Sequence, residues 1–254
     1  MSRFLVPYHL DEHLPDLDVP VETDRTIWME LAGADPWWRM AQLYSAVSAA
    51  VAGDVREGGR PTVVSGDCTT ALGTVAGLQR AGLQPAVVWI DGHGDVQTLE
   101  TTTSGYLGGL PLRLLAGYRP ELIASALDLR PVPEDRIVLV DARDLDPPEE
   151  EYLQRAAIRR VDVTELTRAV WAVGPLCVHL DLDVLDPADV PGLSIPAPGG
   201  PSQADVLDAL RRLIAGGQVA AVGLACTWQV GQGAAGAVRD AVRAALGPFA
   251  AARS

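Results

Sequence analysis

The chain has 254 residues, with 33 acidic and 20 basic side chains, so its formal net charge is −13. This acidic balance repels phosphate groups and anionic lipids, which argues against nucleic acid and membrane partners and favours cations and small molecules. All 20 basic residues are Arg, and neither Lys nor Asn occurs, so Schiff-base chemistry on Lys is excluded. The 48% of hydrophobic residues is enough for a large buried core.

Three widely separated cysteines, without a secretory signal, favour a reducing cytoplasmic location over a disulfide framework. No window approaches 18 consecutive apolar residues, so we expect no membrane-spanning helix. No internal repeat or Ser/Gly linker divides the sequence, and we predict a single domain over residues 1–254.

Short apolar runs alternate with helical patterns from about Pro61 onwards, which is typical of a parallel sheet covered by helices on both faces. The predicted strands are Thr62–Ser65, Ala86–Ile90, Ile137–Val140, Leu176–Leu182 and Val219–Leu224. The predicted helices are Pro36–Val51, Thr69–Gly82, Glu149–Ala157, Val163–Val173, Ser202–Gly216 and Ala234–Leu246. The fold class is therefore predicted to be α/β.

Polar residues follow three of these strands at the point where each strand ends. The motif DGHGD occupies residues 91–95, DLD occupies residues 181–183, and GDC occupies residues 66–68. In open α/β sheets, ligands bind outside the carboxyl ends of the strands, so these three motifs are expected to meet in one crevice.

Four carboxylates in that crevice, those of Asp91, Asp95, Asp181 and Asp183, would repel one another unless protons or cations neutralise them. Two divalent ions would balance four negative charges, and oxygen-rich ligation with one imidazole favours Mn²⁺ over Zn²⁺. The alternative is that these Asp residues only begin loops and cap helices.

Four motifs together resemble the arginase (ureohydrolase) family of binuclear manganese hydrolases. They are SGDC at 65–68, DGHGDVQTLETTTSGYLGG at 91–109, RDLDPPE at 143–149 and DLDVLDPADVPGLSIPAPGG at 181–200. The resemblance implies an arginase-like three-layer α/β/α sandwich with a central, mainly parallel sheet, which agrees with the alternation of strands and helices.

The resemblance also implies two Mn²⁺ ions and their ligands. Cys68, Asp91, Asp95 and Asp181 are expected to hold one ion, and Asp91, His93, Asp181 and Asp183 the other. In the family a hydroxide between the ions attacks the guanidino carbon, and Asp95 is the expected catalytic residue that hydrogen-bonds to it. Cys68 stands where the family motif GGDH has a His ligand; a thiolate still ligates metals, and the alternative is an inert core cysteine.

The same resemblance implies an amino-acid substrate, with no nucleic-acid or membrane partner. The expected substrate-binding residues are Gln97, Thr102, Ser104, Tyr106, Asp146, Glu149 and Trp228. Gln97 and Tyr106 replace family Asn residues and keep a hydrogen-bond donor. The alternative is that TTTSG at 101–105 is a plain turn and RDLDP at 143–147 a plain strand exit.

Two departures from the family pattern concern the head group of the substrate. Gly108 replaces the His that serves arginases as acid and base, and Trp228 aligns with the Glu that grips the guanidinium. An N-hydroxyguanidine is less basic and fits such a site, so we expect an amidinohydrolase that cleaves the guanidino C–N bond of N-omega-hydroxy-L-arginine, releasing hydroxyurea and L-ornithine. His179 is interpreted as a partner of the ligands, a substitute proton relay or a core histidine.

Three other functions remain open at this point. They are an ordinary arginase acting on L-arginine, a catalytically silent binding protein on the same fold, and a deacetylase-like relative with one zinc ion. The short chain is compatible with a monomer, and the sequence does not determine the oligomeric state.

Overall fold

The computed structural model describes residues 2–166 and 174–251 and contains one eight-stranded sheet, one small hairpin and flanking helices. The strands are β1 Arg3–Val6, β2 Tyr8–His9, β3 Glu12–His13, β4 Arg25–Thr26, β5 Thr62–Ser65, β6 Ala86–His93, β7 Ile137–Asp144, β8 Arg159–Val161, β9 Leu176–Asp181 and β10 Val219–Ala225. The α-helices are α1 Pro36–Arg56, α2 Ala71–Arg80, α3 Pro111–Leu115, α4 Pro147–Arg155, α5 Gln203–Ala215 and α6 Ala234–Ala251.

The large sheet has the strand order β4-β1-β5-β10-β9-β6-β7-β8, and every pairing in it is parallel. Strands β2 and β3 form a separate antiparallel hairpin near the amino terminus. The central strands β5, β6, β9 and β10 are almost completely buried, as expected of strands covered on both faces.

Two hydrophobic cores lie on opposite faces of the sheet, because successive side chains of a strand point to opposite faces. Val88 and Ile90 pack with α5 and α6, whereas Val87 and Trp89 pack with α1, α2 and α3. This arrangement confirms the predicted three-layer α/β/α sandwich. None of the helices within residues 2–166 and 174–251 combines the length and hydropathy that crossing a bilayer requires.

Local sequence explains where the long helices begin and end. The Asp35 side chain accepts the Trp37 N–H at the start of α1, and Pro36 occupies the first turn, where no N–H is needed. Ser202 caps α5 through the Asp205 N–H at 3.2 Å, as its spacing predicts, and α5 ends just before Gly216.

Several predicted boundaries differ from those observed. The helix predicted over 69–82 is a 3₁₀ turn at Cys68–Thr70 followed by α2, because the Asp67 side chain accepts the Thr69 N–H and starts a tighter turn. Strand β9 stops at Asp181, and Leu182 begins another 3₁₀ turn. Of the helix predicted over 163–173, residues 167–173 lie outside the described residues, and 163–165 form a turn.

Parallel pairing brings the carboxyl ends of four neighbouring strands to one edge of the sheet. Ala225 at the end of β10 is level with Ser65 on one side and Asp181 on the other. Ile90 of β6 is level with Leu180 of β9, so the residues that follow both strands emerge side by side. The three predicted polar motifs therefore leave the sheet at the same edge.

Candidate metal centre and active site

A cavity of about 190 Å³ opens at this edge of the sheet. Its walls contain His9, Cys68, Asp91, His93, Asp95, Gln97, Thr102, Ser104, Tyr106, Gly108, Gly109, Asp146, Glu149, Asp181, Asp183, Ser194, Ile195 and Thr227. The four predicted aspartates are all buried at its inner end, whereas Ser104, Asp146 and Ile195 are exposed at its mouth. A shared cavity for DGHGD, DLD and Cys68 is what the strand-end argument anticipated.

Asp91 is oriented by two N–H donors from its own strand. The His93 backbone N–H donates to Oδ1 at 2.7 Å, and the Trp89 indole N–H donates to Oδ2 at 3.0 Å. Because alternate residues of a strand share a face, Trp89 lies on the same side of the sheet as Asp91. Trp89 therefore orients Asp91, a candidate metal ligand, through its indole N–H.

Asp95 has a positive φ of 53°, a conformation that costs a non-glycine residue energy. Its backbone carbonyl accepts the Leu112 and Arg113 N–H groups at 3.0 and 3.2 Å, so the first turn of α3 holds the strained residue in place. Its side chain is buried, and Oδ2 has no hydrogen-bond partner among the described residues.

Asp181 uses its two oxygens differently. Oδ1 accepts the Asp183 N–H at 2.8 Å and the Thr227 hydroxyl at 2.7 Å, which leaves Oδ2 to face the Cys68 sulfur at 2.8 Å. The Cys68 sulfur is also 3.7 Å from Asp91 Oδ2. The thiol predicted as a ligand thus lies between two of the predicted carboxylates.

His93 directs one ring nitrogen at the acidic cluster. Nδ1 lies 3.4 Å from Asp91 Oδ1 and 3.1 Å from Asp183 Oδ2, and Nε2 is buried without a described partner. Ligand atoms of Asp91, His93 and Asp183 all lie within 4.8 Å of one another, as do those of Cys68, Asp91 and His179. The two groups share Asp91, which suits a residue that bridges two ions.

Burial disfavours the charged form of three carboxyl groups in this acidic cluster. It raises the pKa of Asp95 and Asp181, with further increases from Asp91 and Asp183 respectively, and raises that of Asp183 to about 6 with help from Asp91. Burial likewise raises the pKa of the Cys68 thiol.

The contacts between His93 and the aspartates shift the pKa values of His93 and Asp91 in favour of the charged forms. Burial disfavours the charged forms of both His93 and Asp91, but hydrogen bonds to Asp183 and Asp91 raise the pKa of His93 to about 12. The same contacts keep the pKa of Asp91 below its ordinary value despite burial. An acidic cluster with one imidazole, one thiol and orphaned polar atoms on His93 and Asp95 is chemically suited to divalent cations.

The predicted amino-acid end of the site surrounds the cavity mouth. The Gln97 amide donates to Asp146 Oδ2 at 2.7 Å, which ties the loop after β6 to the start of α4. Ser104 accepts the Tyr106 N–H at 3.2 Å, and the Thr102 hydroxyl accepts the Gly105 N–H at 3.2 Å. These polar groups line the cavity, and their contact with a substrate stays a prediction.

The Glu149 carboxylate accepts hydrogen bonds from two backbone N–H groups. Its carboxylate accepts the Val96 N–H at 3.2 Å and the Asp146 N–H at 3.1 Å, so it joins DGHGD to RDLDPPE. Gly94 permits this approach, because a Cβ there would lie 2.6 Å from Leu145 Cδ2 and 2.9 Å from Glu149 Oε1. Glu149 lines the cavity, and each of its two oxygens already accepts one backbone N–H.

The structure does not bring Trp228 to the cavity. Its indole N–H donates to the Asp18 carbonyl at 3.1 Å, and the neighbouring Thr227 lines the cavity wall instead. The chain has left β10 at Ala225, so the strand alternation that would predict the direction of later side chains no longer applies. Contrary to the expectation, the Trp228 side chain is therefore not part of this cavity wall, and a contact between it and a substrate stays a prediction.

His179 also lies outside the cavity wall. It stacks on Trp89 with ring centroids 3.9 Å apart, and burial lowers its pKa to about 4, so the imidazole is neutral. Of its proposed roles, a proton relay at the cavity surface is not supported by this position.

Arg143 of RDLDPPE holds the loop that follows β9. Its guanidinium donates to the Asp141 carboxylate and to the carbonyls of Val184, Ala197, Pro198 and Gly199, the latter four at 3.0 Å. This loop carries Ser194 and Ile195 to the cavity mouth. Sequence reasoning missed this role, as it missed His9, Trp89 and Thr227; only Trp89 has a local signal, its strand position two residues before Asp91.

The fold and site thus define a parallel α/β protein with a carboxylate-rich candidate metal site at the strand ends. The sequence profile of the Arginase family matches residues 4–226, and the chain belongs to that family.

Two curated relatives and one solved structure illustrate the similarity. The arginase of Bacillus caldovelox is 32% identical over 63% of this chain and 58% of its own length. The N(omega)-hydroxy-L-arginine amidinohydrolase of Streptomyces lavendulae is 33% identical over 62% of this chain and 59% of its own length. The crystal structure of Bacillus cereus arginase superposes with a TM-score of 0.77 and 25% identity, covering 91% of this chain and 84% of that one. The alignments with both curated relatives span under two thirds of their lengths.

Proposed function

We propose that this protein is a binuclear manganese amidinohydrolase that cleaves N-omega-hydroxy-L-arginine to hydroxyurea and L-ornithine. The observation that carries the substrate assignment is that, among the described residues at the inner end of the cavity, every carboxylate belongs to the acidic cluster or, in Glu149, accepts backbone N–H groups. The inner aspartates face one another and the metal centre, and both oxygens of Glu149 accept backbone N–H groups.

The remaining acid, Asp146, is exposed at the mouth and pairs with Gln97. We assign it to the α-ammonium of an amino-acid substrate, with Thr102 and Ser104 at the carboxylate. A neutral N-hydroxyguanidine needs no counter-charge at the inner end, where Thr227 supplies only a hydroxyl. The similarity to the Streptomyces lavendulae enzyme supports the same substrate.

Two Mn²⁺ ions would supply Lewis acidity and lower the pKa of the attacking water. Cys68, Asp91, Asp95 and Asp181 would hold one ion, and Asp91, His93, Asp181 and Asp183 the other. The unpartnered Oδ2 of Asp95 is free to accept a hydrogen bond from the attacking water. N–H and O–H donors from Trp89 and Thr227 hold the carboxylates in ligating orientations.

The test combines a metal count with turnover on both substrates. We expect two manganese ions per chain, and a kcat/KM for N-omega-hydroxy-L-arginine about a thousandfold above that for L-arginine, roughly 4 kcal/mol. Comparable rates on the two substrates would instead identify an ordinary arginase, which the Bacillus caldovelox relative makes the second candidate. No turnover of either substrate by the manganese-loaded protein would reject both.

A further inference from the structure

The side chain of Tyr106 occupies the space next to Gly108. A Cβ atom on Gly108 would fall 2.4 Å from the Tyr106 hydroxyl and 2.3 Å from the ring carbon that bears it. Real Cβ atoms do not approach other heavy atoms so closely, so a side chain at position 108 and this position of Tyr106 exclude each other. The Tyr106 phenol therefore fills the space that a side chain at position 108 would need.

His9 holds this phenol from the amino-terminal hairpin. Its Nε2 lies 3.2 Å from the Tyr106 hydroxyl oxygen, and the two rings stack at 14° with centroids 5.7 Å apart. Its other nitrogen, Nδ1, lies 3.2 Å from the Gly66 carbonyl oxygen. Both His9 and Tyr106 line the cavity.

The Gly66 carbonyl determines the direction of the hydrogen bonds. A carbonyl oxygen only accepts, so Nδ1 of His9 carries the hydrogen, and in the neutral imidazole Nε2 is left as an acceptor. Tyr106 must then donate its hydroxyl hydrogen to His9. The lone pairs of the Tyr106 oxygen remain free, so the phenol is an acceptor towards the cavity.

The Tyr106 phenol lies close enough to the acidic cluster for the charges of Cys68, Asp95 and Asp181 to act on it. Burial raises the pKa of Tyr106 far above its ordinary value, and the charges of Asp67 and then Cys68 raise it further, so the hydroxyl stays protonated. An acceptor close to the acidic cluster suits the N–OH group of an N-hydroxyguanidine, an O–H donor that a plain guanidine lacks.

We infer that His9 is a positioning residue that fixes the Tyr106 hydroxyl as a hydrogen-bond acceptor for the head group of the substrate. The inference rests on the proposed function for its substrate. It assigns a specificity role to a residue that lies 57 positions from Gly66 and 97 positions from Tyr106 in the sequence.

The kinetic test compares His9→Ala, Tyr106→Phe and the double variant on N-omega-hydroxy-L-arginine. Each single variant should lower kcat about tenfold, the loss expected for one hydrogen bond, and the double variant should lose no more than either. KM should change less, because the amino-acid end is untouched. His9→Gln should retain more activity than His9→Ala, because its amide oxygen can accept in place of Nε2. Multiplicative losses, or equal losses in His9→Gln and His9→Ala, would overturn the inference.

The matched control is His13→Ala, an exposed histidine of the same hairpin that contacts Tyr8 and Trp28 rather than the cavity. It should leave kcat, KM and manganese content unchanged. A loss equal to that of His9→Ala would mean that the hairpin acts only structurally.

A measurement without substrate separates this inference from the proposed function. Nitrogen-15 NMR of labelled wild-type protein at a pH where His9 is neutral should show the Nδ1–H tautomer, and Tyr106→Phe should shift the Nε2 resonance. Finding the Nε2–H tautomer would overturn the inference whatever the substrate. Failure of N-omega-hydroxy-L-arginine turnover with the expected tautomer would reject the proposed function and the head-group role, leaving only the His9–Tyr106 hydrogen bond.

Discussion

Replacing Thr227 with Val removes the hydroxyl that orients Asp181 and changes little else, because the two side chains have nearly the same shape. The lost hydrogen bond is 2.7 Å long, buried and made to a carboxylate, so it is worth about 1.5–3 kcal/mol. Without it, Asp181 loses one of the two donors that direct its Oδ2 towards Cys68. We expect manganese to bind about 10–100-fold more weakly.

The assay is competition with a chelating dye at fixed pH, for wild type and Thr227→Val. The control is Thr62→Val, since Thr62 is fully buried on β5 and its hydroxyl has no hydrogen-bond partner among the described residues. Thr62→Val should leave manganese affinity unchanged and should not reduce stability. Unchanged affinity in Thr227→Val, or equal losses in both variants, would refute the role assigned to the hydroxyl.

Three further outcomes follow from the site and its supports. Because burial and neighbouring charges raise carboxylate pKa values, with that of Asp183 at about 6, manganese binding should release protons and weaken as the pH falls, which calorimetry in buffers of different ionisation enthalpy measures. Arg143→Ala should lower the free energy of unfolding by about 3–5 kcal/mol in urea titrations, since it removes five hydrogen bonds and leaves Asp141 unpaired; a loss below about 1 kcal/mol contradicts this. Gly94→Ala should cost about 1–3 kcal/mol through its clash with Glu149, whereas Gly53→Ala, inside α1 with nothing near its Cβ, should gain about 0.5–1 kcal/mol in the same titrations.

The central sheet could be predicted because its strands are buried on both faces and therefore appear as apolar runs. Strands β5, β6, β9 and β10 have this character over most of their length, and β7 has it over its first four residues. The strands that were missed are short and lie near the sheet edges, such as β4 with two exposed residues and β8 with two exposed arginines. Strands of this kind carry too little hydrophobic pattern to be recognised.

The candidate site was predictable where chemistry follows a strand directly. Asp91 and Asp181 end or nearly end their strands, and their motifs place the neighbouring ligands within a few residues. His9 had no such signal, because its contact with Tyr106 depends on how a remote hairpin folds over the cavity. The family pattern pointed to Trp228, whereas the side chain that lines the cavity wall is that of Thr227, one residue earlier. Both residues follow the end of β10, so no strand register indicates which of the two side chains faces the cavity.

The attachment of the loop after β9 has a consequence for engineering the entrance of the cavity. Arg143 donates hydrogen bonds to the backbone carbonyls of residues 184 and 197–199 in this loop. Every amino acid has a backbone carbonyl, so these hydrogen bonds do not depend on the side chains of the loop. The side chains of Ser194 and Ile195 line the cavity mouth and accept none of these hydrogen bonds from Arg143. A library that randomises these two positions therefore varies the entrance while the path of the main chain is preserved. We expect this site to accept other loop sequences when the arginine and the spacing between its carbonyl partners are retained.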